Sequence, residues 1–517
     1  MQPVLIALVA LAGISLASYF ALHSYRRFFE RARGEPSTAL PCSEDATPLD
    51  GLVAPLIAER PGETGLIILP GNLDAFAARV LTARQAGRSL DLQYYLWQRD
   101  LTGRLLTWEV LHAADRGVRV RLLVDDINAH RHDRAYLALE THPNISIRLF
   151  NPSRTRDGFV RRGIELLLRA FRINRRMHNK AWIADGRIAV IGGRNIGDAY
   201  FDAAESANFR DLDLLTLGTA VRQAESVFDS YWNSKAVVPI RALGWLRRRS
   251  LPRIRRRLAA MAGDEAARPY LARLAKQATI REMLSEKGQI HWTANAKILA
   301  DPPEKSKGTG RENWLINHIT PLLNSARADL EIISPYFIPG NAGTGQLVEM
   351  AKRGVKVSVL TNSLAATDVT AVHGAYARCR RPLIEGGVGL FELKPYDERR
   401  RNSLFGSRSA SLHTKAFTID GRKGFVGSMN FDPRSASLNT EMGVVFEHDE
   451  LVRQIRDIFA DETSPQKSYR VRIENGAIVW QDGASGGIRT WRDEPGARIG
   501  RRLMAQLISF LPIESQL

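Results

Sequence analysis

MHNKAWIADGRIAVIGGRNIGD, residues 177–198, and LHTKAFTIDGRKGFVGSMNFD, residues 412–432, carry one pattern of polar residues twice. Each stretch reads His-x-Lys-x4-Asp-x6-Gly-Gly/Ser-x-Asn. The chain holds only 11 histidines, so chance is a poor explanation for two copies with equal spacing. The repetition predicts one site built from two related halves. Its candidate residues are His178, Lys180, Asp185, Gly193, Asn195, His413, Lys415, Asp420, Ser428 and Asn430.

These residue types suit chemistry at phosphorus. A neutral imidazole can attack phosphorus, an imidazolium can protonate a leaving alkoxide, and two histidines can divide these roles. A charged lysine binds phosphate oxygens, and an asparagine amide can donate to the same oxygens as charge builds on them. Histidine and lysine two residues apart share one face of a strand. We interpret Asp185 and Asp420 as braces of the local turns and assign them no chemical step.

Each imidazole also needs a partner that fixes its tautomer. The candidates are carboxylates at the start of the strand that follows each motif. Asp211 is the candidate for His178, with Asp213 as the alternative because the loop in the first half is longer. Glu441 is the corresponding carboxylate in the second half.

The chain before each motif repeats the same order of elements. Helical spacing, a β-rich strand, a helix, a turn and a second strand follow one another in both halves. The predicted segments are 72–86, 89–97, 105–114 and 118–126 in the first half, and 316–326, 329–338, 347–352 and 355–362 in the second. Alternating strands and helices predict an α/β fold in which helices cover the sheets, duplicated so that the two halves face each other.

The N-terminus predicts a membrane anchor. Residues 3–22 carry no charge, and this run would span roughly 30 Å as a helix, about one hydrocarbon core. A secretory signal would carry Lys or Arg before the apolar run, yet here only Met1 and Gln2 precede it, although a cleavage site after Ala17 stays open. The basic residues that follow the run favour a cytoplasmic body. The predicted units are an anchor at 1–25, a linker at 26–61, domain 1 at 62–240, an insert at 241–287 and domain 2 at 288–517.

The insert is strongly basic. Eight arginines fall between Arg241 and Arg257, with apolar residues among them. Two interpretations stay open: a solvated helix that packs a thin apolar stripe, or a surface helix at anionic lipid headgroups. Residues 159–176 form a similar basic and apolar segment, and for residues 497–512 we expect packing into the core.

The net charge of +18 favours anionic partners, namely nucleic acid, anionic lipid or phosphate-bearing substrates. The chain has only two cysteines, Cys42 and Cys379, so neither a disulfide framework nor a cysteine-rich zinc site is indicated.

The twin motif resembles the signature of the phospholipase D superfamily. AVHGAYARCRRPLIEGGVGLFELKP (371–395), WTANAKILADPPEK (292–305) and the ending LPIESQL are similar to the bacterial cardiolipin synthase branch, particularly its C-type members. The resemblance runs from about Ala54 onward. One departure is Gly193, where many members carry a serine that matches Ser428, so a supporting hydroxyl bond is expected to be missing in the first half.

This resemblance implies two phospholipase D-like α/β/α sandwich domains and a phosphohistidine route without metal or cofactor. By resemblance, His178 attacks phosphorus, and His413 protonates the departing alcohol and then deprotonates the incoming one. The resemblance implies an enzyme of the bacterial inner membrane that makes cardiolipin from phosphatidylglycerol and a second phospholipid. Phosphatidylethanolamine is one candidate for the donor. The implied partner is an anionic membrane, and no nucleic acid is expected. A phospholipase D that releases phosphatidic acid and a nuclease of the same superfamily are the alternatives.

Overall fold

The structure is a computed structural model of the 517-residue chain. It describes residues 2–42, 46–129, 132–154, 156, 165, 174–205, 207–243, 250–262, 264–265, 267–285, 289–395, 409–483 and 487–510. Most of the basic segment 159–176 therefore lies outside the described residues.

Strands and helices alternate along both halves. The strands, β1 to β21, are Thr64–Leu69, Ser89–Tyr94, Arg119–Asp125, Ile145–Phe150, Ala181–Ala184, Ile188–Gly192, Ala207–Arg210, Asp213–Gly218, Val237–Pro239, His291–Thr293, Ala296–Ala300, Asp329–Ile333, Lys356–Asn362, Gly389–Leu393, Ser409–Leu412, Ala416–Ile419, Lys423–Gly427, Met442–Glu447, Ser468–Glu474, Ala477–Asp482 and Arg489–Trp491. The α-helices, α1 to α16, are Gln2–Arg31, Pro48–Ala58, Asn72–Gln85, Leu101–Asp115, Asp126–Ala129, Asp133–Leu139, Thr219–Trp232, Leu251–Ala262, Arg268–Leu274, Ile280–Met283, Leu315–Asn324, Gly340–Lys352, Thr370–Glu385, Pro433–Ser437, Asp449–Glu462 and Ile499–Ser509.

The sheet topology confirms the internal duplication. The first large sheet contains the order β8-β6-β5-β2-β3-β4, and the second contains β18-β17-β16-β12-β13-β14. In each sheet three strands run parallel, β2-β3-β4 in one and β12-β13-β14 in the other, while the motif strands join them antiparallel. The carboxyl ends of the parallel strands in each half therefore lie at one edge of its sheet, where ligand sites of α/β proteins form.

Helices cover the sheets, and the two halves share a core. Phe76 in α3 and Leu106 in α4 pack with strand residues of the first sheet in one apolar cluster. A second cluster joins Phe228 of α7 to Val444 of β18 and Ile455 of α15, so it contains side chains from both halves. This shared burial agrees with the expectation that the halves face each other.

The N-terminal region differs from the expected division. Helix α1 continues to Arg31, beyond the predicted anchor, and Pro48–Ala58 within the predicted linker is helical. Leu49 and Val53 of that helix are fully buried, so it belongs to the first domain. In the described parts of the chain, we find no helix that is both long and apolar enough to cross a membrane.

The insert and the C-terminal segment both pack against the domains, but they bury different kinds of side chain. Helix α8 packs Leu258 and Met261 into the first domain, and Arg253 and Arg256 face solvent, so the apolar stripe is shown and the lipid interpretation of the basic face stays a prediction. The prediction that residues 497–512 pack into the core holds only for small side chains, because Ala497 and Ala505 join a small apolar cluster with Leu364. Within the described part of α16, Ala505 is the buried residue and Ile508 is half-buried, whereas Ile499, Leu503, Met504 and Leu507 are exposed.

Candidate active site

Short backbone contacts between the halves bring the two motifs together. Strand β15, which leads to His413, pairs in parallel with β7 of the first half, and the His413 amide donates to the carbonyl of Arg210 at 2.7 Å. The His178 amide donates to the carbonyl of Thr440 at 2.8 Å. Each motif therefore begins against the chain of the opposite half.

This arrangement exchanges the orienting carboxylates, which corrects the sequence prediction. The Nδ1 of His178 lies 2.8 Å from a carboxylate oxygen of Glu441, and the Nδ1 of His413 lies 2.6 Å from one of Asp211. Both carboxylates contact an imidazole, but each contacts the histidine of the other half. The reason is the cross-half pairing of the segments, which spacing within one half cannot show.

Asp213 is not the partner of His178. Its carboxylate accepts from Arg79 at 2.9 Å and lies 3.4 Å from Arg194, and all three side chains are buried. Arg194 also donates to the Asp211 carbonyl at 2.5 Å. Asp213 thus belongs to an ion-pair network behind the site.

Burial dominates the electrostatics of the two imidazoles. It lowers the pKa of His178, although the nearby carboxylate of Glu441 opposes the shift. Burial and the charge of Lys415 hold the pKa of His413 well below the usual value. Since each Nδ1 is held by a carboxylate, Nε2 is the nitrogen of each ring that can react.

The two lysines lie beside the imidazoles in the same buried region. The Nζ of Lys180 donates to the His178 carbonyl at 2.7 Å, and the Nζ of Lys415 donates to the His413 carbonyl. Burial lowers the pKa of Lys180 to about 7 and that of Lys415 to about 8. Each lysine also acts electrostatically on the histidine of the other motif, so both motifs form one charged cluster.

The motif aspartates hold the turns, as the sequence interpretation expected. The carboxylate of Asp185 accepts from the backbone amides of Gly87, Arg88 and Ser89. Asp420 accepts from the amides of residues 327–329. Both aspartates adopt a left-handed backbone, with φ of 53° and 51°, which aspartate tolerates better than most residues.

The asparagines lie in the site, but their roles toward a ligand stay predictions. The amide of Asn195 donates to the hydroxyl of Tyr200 at 2.9 Å. Within the described parts of the chain, the buried Oδ1 atoms of Asn195 and Asn430 have no hydrogen-bond partner.

Gly193 and Ser428 make the two halves unequal. The hydroxyl of Ser428 donates to Glu441 at 2.5 Å. At Gly193 a Cβ would lie 2.2 Å from a carboxylate oxygen of Asp211, so the glycine makes room for that carboxylate. A serine side chain cannot occupy this position as it stands, which agrees with the expected loss of one supporting hydroxyl bond in the first half.

Sequence reasoning missed a buried pair behind Glu441. Asp301 accepts from the Glu441 amide at 2.9 Å and from Lys305 at 2.9 Å. The Nζ of Lys305 also donates to the carbonyl of Ser435 at 2.8 Å, and Ser435 donates to the Glu441 carboxylate. The signal was present in residues 292–305, which resemble the family, but only the contacts assign a role.

Aromatic rings surround the two imidazoles. The ring of Tyr95 meets His178 edge-on at 5.2 Å between centroids, and Tyr200 meets His413 at 5.2 Å. Phe209 also contacts His413, at 4.9 Å. A cavity of about 450 Å³ between the halves is lined by Phe209, Asp211 and residues of the second half.

Two histidine–lysine motifs on a duplicated α/β fold, with carboxylates exchanged between the halves, define the two-motif class of the phospholipase D superfamily. The sequence model of the family described as "Cardiolipin synthase, PLD-like domain" matches residues 81–232 and 319–462. The chain belongs to this family, as its sequence motifs predicted.

Relatives agree with this membership. The chain is 40% identical over 478 residues to Cardiolipin synthase C of Escherichia coli (strain K12), covering 90% of this chain and 99% of that protein. It is 24% identical over 418 residues to Cardiolipin synthase of Geobacillus kaustophilus (strain HTA426), covering 78% and 69%. The crystal structure of phosphatidylserine synthase from Haemophilus influenzae Rd KW20 has the same fold, with a TM-score of 0.54 and 15% identity, covering 86% of this chain and 91% of that one.

Proposed function

We propose that this protein is a phosphatidyltransferase that makes cardiolipin from phosphatidylglycerol and a second phospholipid. The observation that carries the proposal is the pair of buried imidazoles, each held at Nδ1 by a carboxylate of the opposite half. Two such groups can divide nucleophilic attack and proton transfer at one phosphodiester. The relationship to cardiolipin synthases supports the choice of lipid substrates.

In the first step, the Nε2 of His178 attacks the phosphorus of the donor lipid. The bond between phosphorus and the headgroup oxygen breaks, and the Nε2 of His413 gives its proton to the departing alcohol. Lys180 and Lys415 bind the phosphate oxygens, whose charge increases in the transition state. The product of this step is a phosphatidyl group bound covalently to His178.

In the second step, the glycerol headgroup of phosphatidylglycerol supplies the acceptor hydroxyl. The Nε2 of His413 takes the proton of this hydroxyl, the oxygen attacks phosphorus, and the bond between phosphorus and His178 breaks. Both histidines return to their starting state. Water at the same position would release phosphatidic acid, so the identity of the second alcohol separates the transferase from a phospholipase D.

The proposed function also includes a membrane partner and a location. We propose an anionic bilayer as the partner and the bacterial inner membrane as the location, with one N-terminal anchor and a cytoplasmic body. The uncharged run at 3–22 supports the anchor, as do the exposed apolar side chains of its helix, among them Leu5, Ile6 and Val9. Phosphatidylglycerol is proposed as acceptor, and phosphatidylglycerol or phosphatidylethanolamine as donor.

The test is a defined reaction with purified full-length protein. Vesicles of phosphatidylglycerol, with and without phosphatidylethanolamine, are incubated with the protein, and the lipids are resolved by mass spectrometry. Cardiolipin is the expected product. Phosphatidic acid without cardiolipin would instead favour hydrolysis, and inert lipids together with cleavage of single-stranded DNA would favour a nuclease.

His178→Ala and His413→Ala are each expected to reduce cardiolipin formation at least about 1,000-fold, because attack and proton transfer each require an imidazole. His318→Ala is the matched control, since His318 is exposed on α11. Full activity in either motif variant, or loss of wild-type activity on adding a metal chelator, would contradict the two-histidine mechanism.

A further inference from the structure

The C-terminal helix α16 presents most of its large apolar side chains outward. The buried residue of this helix is Ala505. Ile499, Leu503, Met504 and Leu507, together with Phe510 just beyond the helix, are 75%, 55%, 53%, 64% and 75% exposed. A helix on the surface of a soluble protein usually has the opposite orientation, with its apolar stripe toward the core.

Close packing fixes this orientation. Helix α16 lies against α13, where a Cβ at Gly374 would come 2.6 Å from the Ala505 carbonyl oxygen and 3.1 Å from the side chain of Ile508. The small residues Gly374 and Ala505 thus let the two helices approach closely. The inward side of α16 has no room for a larger side chain there, so the apolar face cannot rotate inward without separating the helices.

Polar contacts tie the same region to the domain. Glu494, which precedes α16, accepts from Arg380 of α13 at 2.6 Å and lies 3.1 Å from His373. The guanidinium of Arg501 in α16 donates to the carbonyl of Thr367 and to the hydroxyl of Thr370. The N-terminal part of α16 and the segment before it are therefore held to α13 and its preceding loop by charged groups.

The contact of Arg501 attaches α16 to a loop that acts electrostatically on the candidate active site. Thr367 belongs to the loop that follows the carboxyl end of β13. In the same loop, Asp368 accepts from the hydroxyl of Tyr336 at 2.8 Å, and its charge opposes the lowering of the pKa of His413 and Lys415. The helix is thus attached to a loop whose carboxylate acts on the catalytic cluster.

The segment that leads into α16 is mostly positive on its exposed side chains, with Asp493 as an exposed exception, and this charge suits an anionic surface. Arg489, Arg492 and Arg498 are exposed in the segment that leads into α16. An apolar helix face bordered by arginines inserts below lipid headgroups while the guanidinium groups meet the phosphates. The net charge of +18 acts in the same direction.

We propose that the outward face of α16 docks on the surface of an anionic phospholipid bilayer and so holds the active site at the level of the headgroups. This inference rests on the proposed function for its lipid substrates. It adds a specific surface, distinct from the N-terminal anchor, that presents a bilayer to the site.

The test compares two forms of one substrate with the full-length protein. Rates of cardiolipin formation are measured with phosphatidylglycerol vesicles and with short-chain phosphatidylglycerol dispersed as monomers. The double variant L503Q/L507Q is expected to lower kcat/KM about tenfold on vesicles and to leave the rate on monomers unchanged, since only the vesicle reaction needs docking. The matched control L503M/L507M keeps an apolar face and is expected to behave as the wild type.

Each other outcome is decisive. Unchanged vesicle rates in L503Q/L507Q, an equal fall on both substrates, or an equal fall in the methionine control would overturn the docking proposal. The proposal would also fail if the wild type is a dimer, the L503Q/L507Q variant is a monomer, and the variant keeps its rate on vesicles. A second copy of the chain would then cover the apolar face. If the wild type converts neither lipid, the proposed function fails, and docking is decided by a polarity-sensitive fluorophore attached to the full-length L507C variant: a blue shift on adding phosphatidylglycerol vesicles supports docking, and no shift overturns it.

Discussion

The two histidine–carboxylate pairs differ in how well the carboxylate is supported. Burial alone would raise the pKa of Glu441. The contacts with His178 and Ser428 and the charge of Lys180 outweigh it and hold that pKa below its usual value. The pKa of Asp211 is raised by burial, and no serine hydroxyl supports it at position 193. An ionised Glu441 favours the reactive tautomer of His178 and stabilises its positive charge, which suits the nucleophile.

A prediction at Glu441 follows from the exchange of carboxylates. Glu441→Gln should lower kcat at least about 100-fold with little change in KM or melting temperature, because the neutral amide no longer stabilises the charge on His178. Glu447→Gln on the same strand is the control, since Glu447 contacts Lys423 at 3.5 Å instead of a histidine. Steady-state rates on phosphatidylglycerol vesicles are measured for both variants. Near-wild-type kcat in Glu441→Gln would show that the cross-half contact does not serve catalysis.

The lowered pKa values predict the pH profile. As pH rises, His413 loses the proton that it must donate, and then Lys180, with a pKa of about 7, and Lys415, with a pKa of about 8, lose the charge that binds phosphate. We therefore expect kcat/KM, which reports the free enzyme, to be highest below pH 7 and to fall from pH 7 to 8. Initial rates from pH 5 to 9, with vesicle binding monitored in parallel, test this. A value that still rises between pH 7 and 8 would contradict it.

The sequence predicted the identity of the site residues better than their pairing. Both motifs and both carboxylates follow from residue type and spacing. The pairing of His178 with Glu441 depends on contacts between residues 263 positions apart, and no local pattern contains that information. The Asp301–Lys305 pair was missed for the same reason, because its contacts with Glu441 and Ser435 are long-range.

The turn after β6 needs glycine at position 193, because the carboxylate of Asp211 lies against it. Gly193→Ala should lower kcat about tenfold or more, since the new Cβ would displace Asp211 and thus the ring of His413. Gly345→Ala on α12 is the matched control, because a Cβ there meets nothing within 4 Å and alanine favours the helix. Rates and melting temperatures are measured for both. Unaltered catalysis in Gly193→Ala would show that Asp211 need not keep its position.

The motif aspartates should contribute to stability more than to chemistry. Asp185→Ala removes the acceptor for three backbone amides and places alanine at a left-handed φ, so we expect a loss of about 2–4 kcal/mol in the free energy of unfolding. Asp185→Asn should lose less, because asparagine retains one oxygen and tolerates this backbone. Urea unfolding and the kcat of the folded fraction separate the effects. A stable but inactive Asp185→Asn would instead point to a chemical role.

Element types were predictable where periodicity and burial agree. The helix at 72–85 and the strands at 119–125 and 356–362 lie within about a residue of their predicted bounds. The segment that forms helix α16 was expected to pack into the core, yet most of its large apolar side chains point outward. Periodicity shows that a helix has an apolar face, whereas the contact through Gly374 and Ala505 decides which face points inward.

The proposed membrane contacts of the N-terminal helix and of the exposed arginines can be separated by deletion and by salt. Deletion of residues 2–25 removes the proposed anchor but retains Phe29, which is buried in the first domain. The truncated protein should still sediment with phosphatidylglycerol vesicles at low salt and should lose most of that binding at high salt, since exposed arginines each contribute about 1 kcal/mol at an anionic surface. Vesicles of neutral lipid are the control. Residual binding that salt does not weaken would show that the arginines are not the second contact.

The two halves bring both motifs into one site, and we propose that His178 carries the phosphatidyl group there. The most direct measurement is mass spectrometry of the protein quenched at high pH within one turnover on phosphatidylglycerol, followed by proteolysis. We expect a phosphatidyl adduct on His178, none on His413, and no adduct in His178→Ala. An adduct on His413, or continued cardiolipin formation with His178 unmodified throughout, would contradict this proposal.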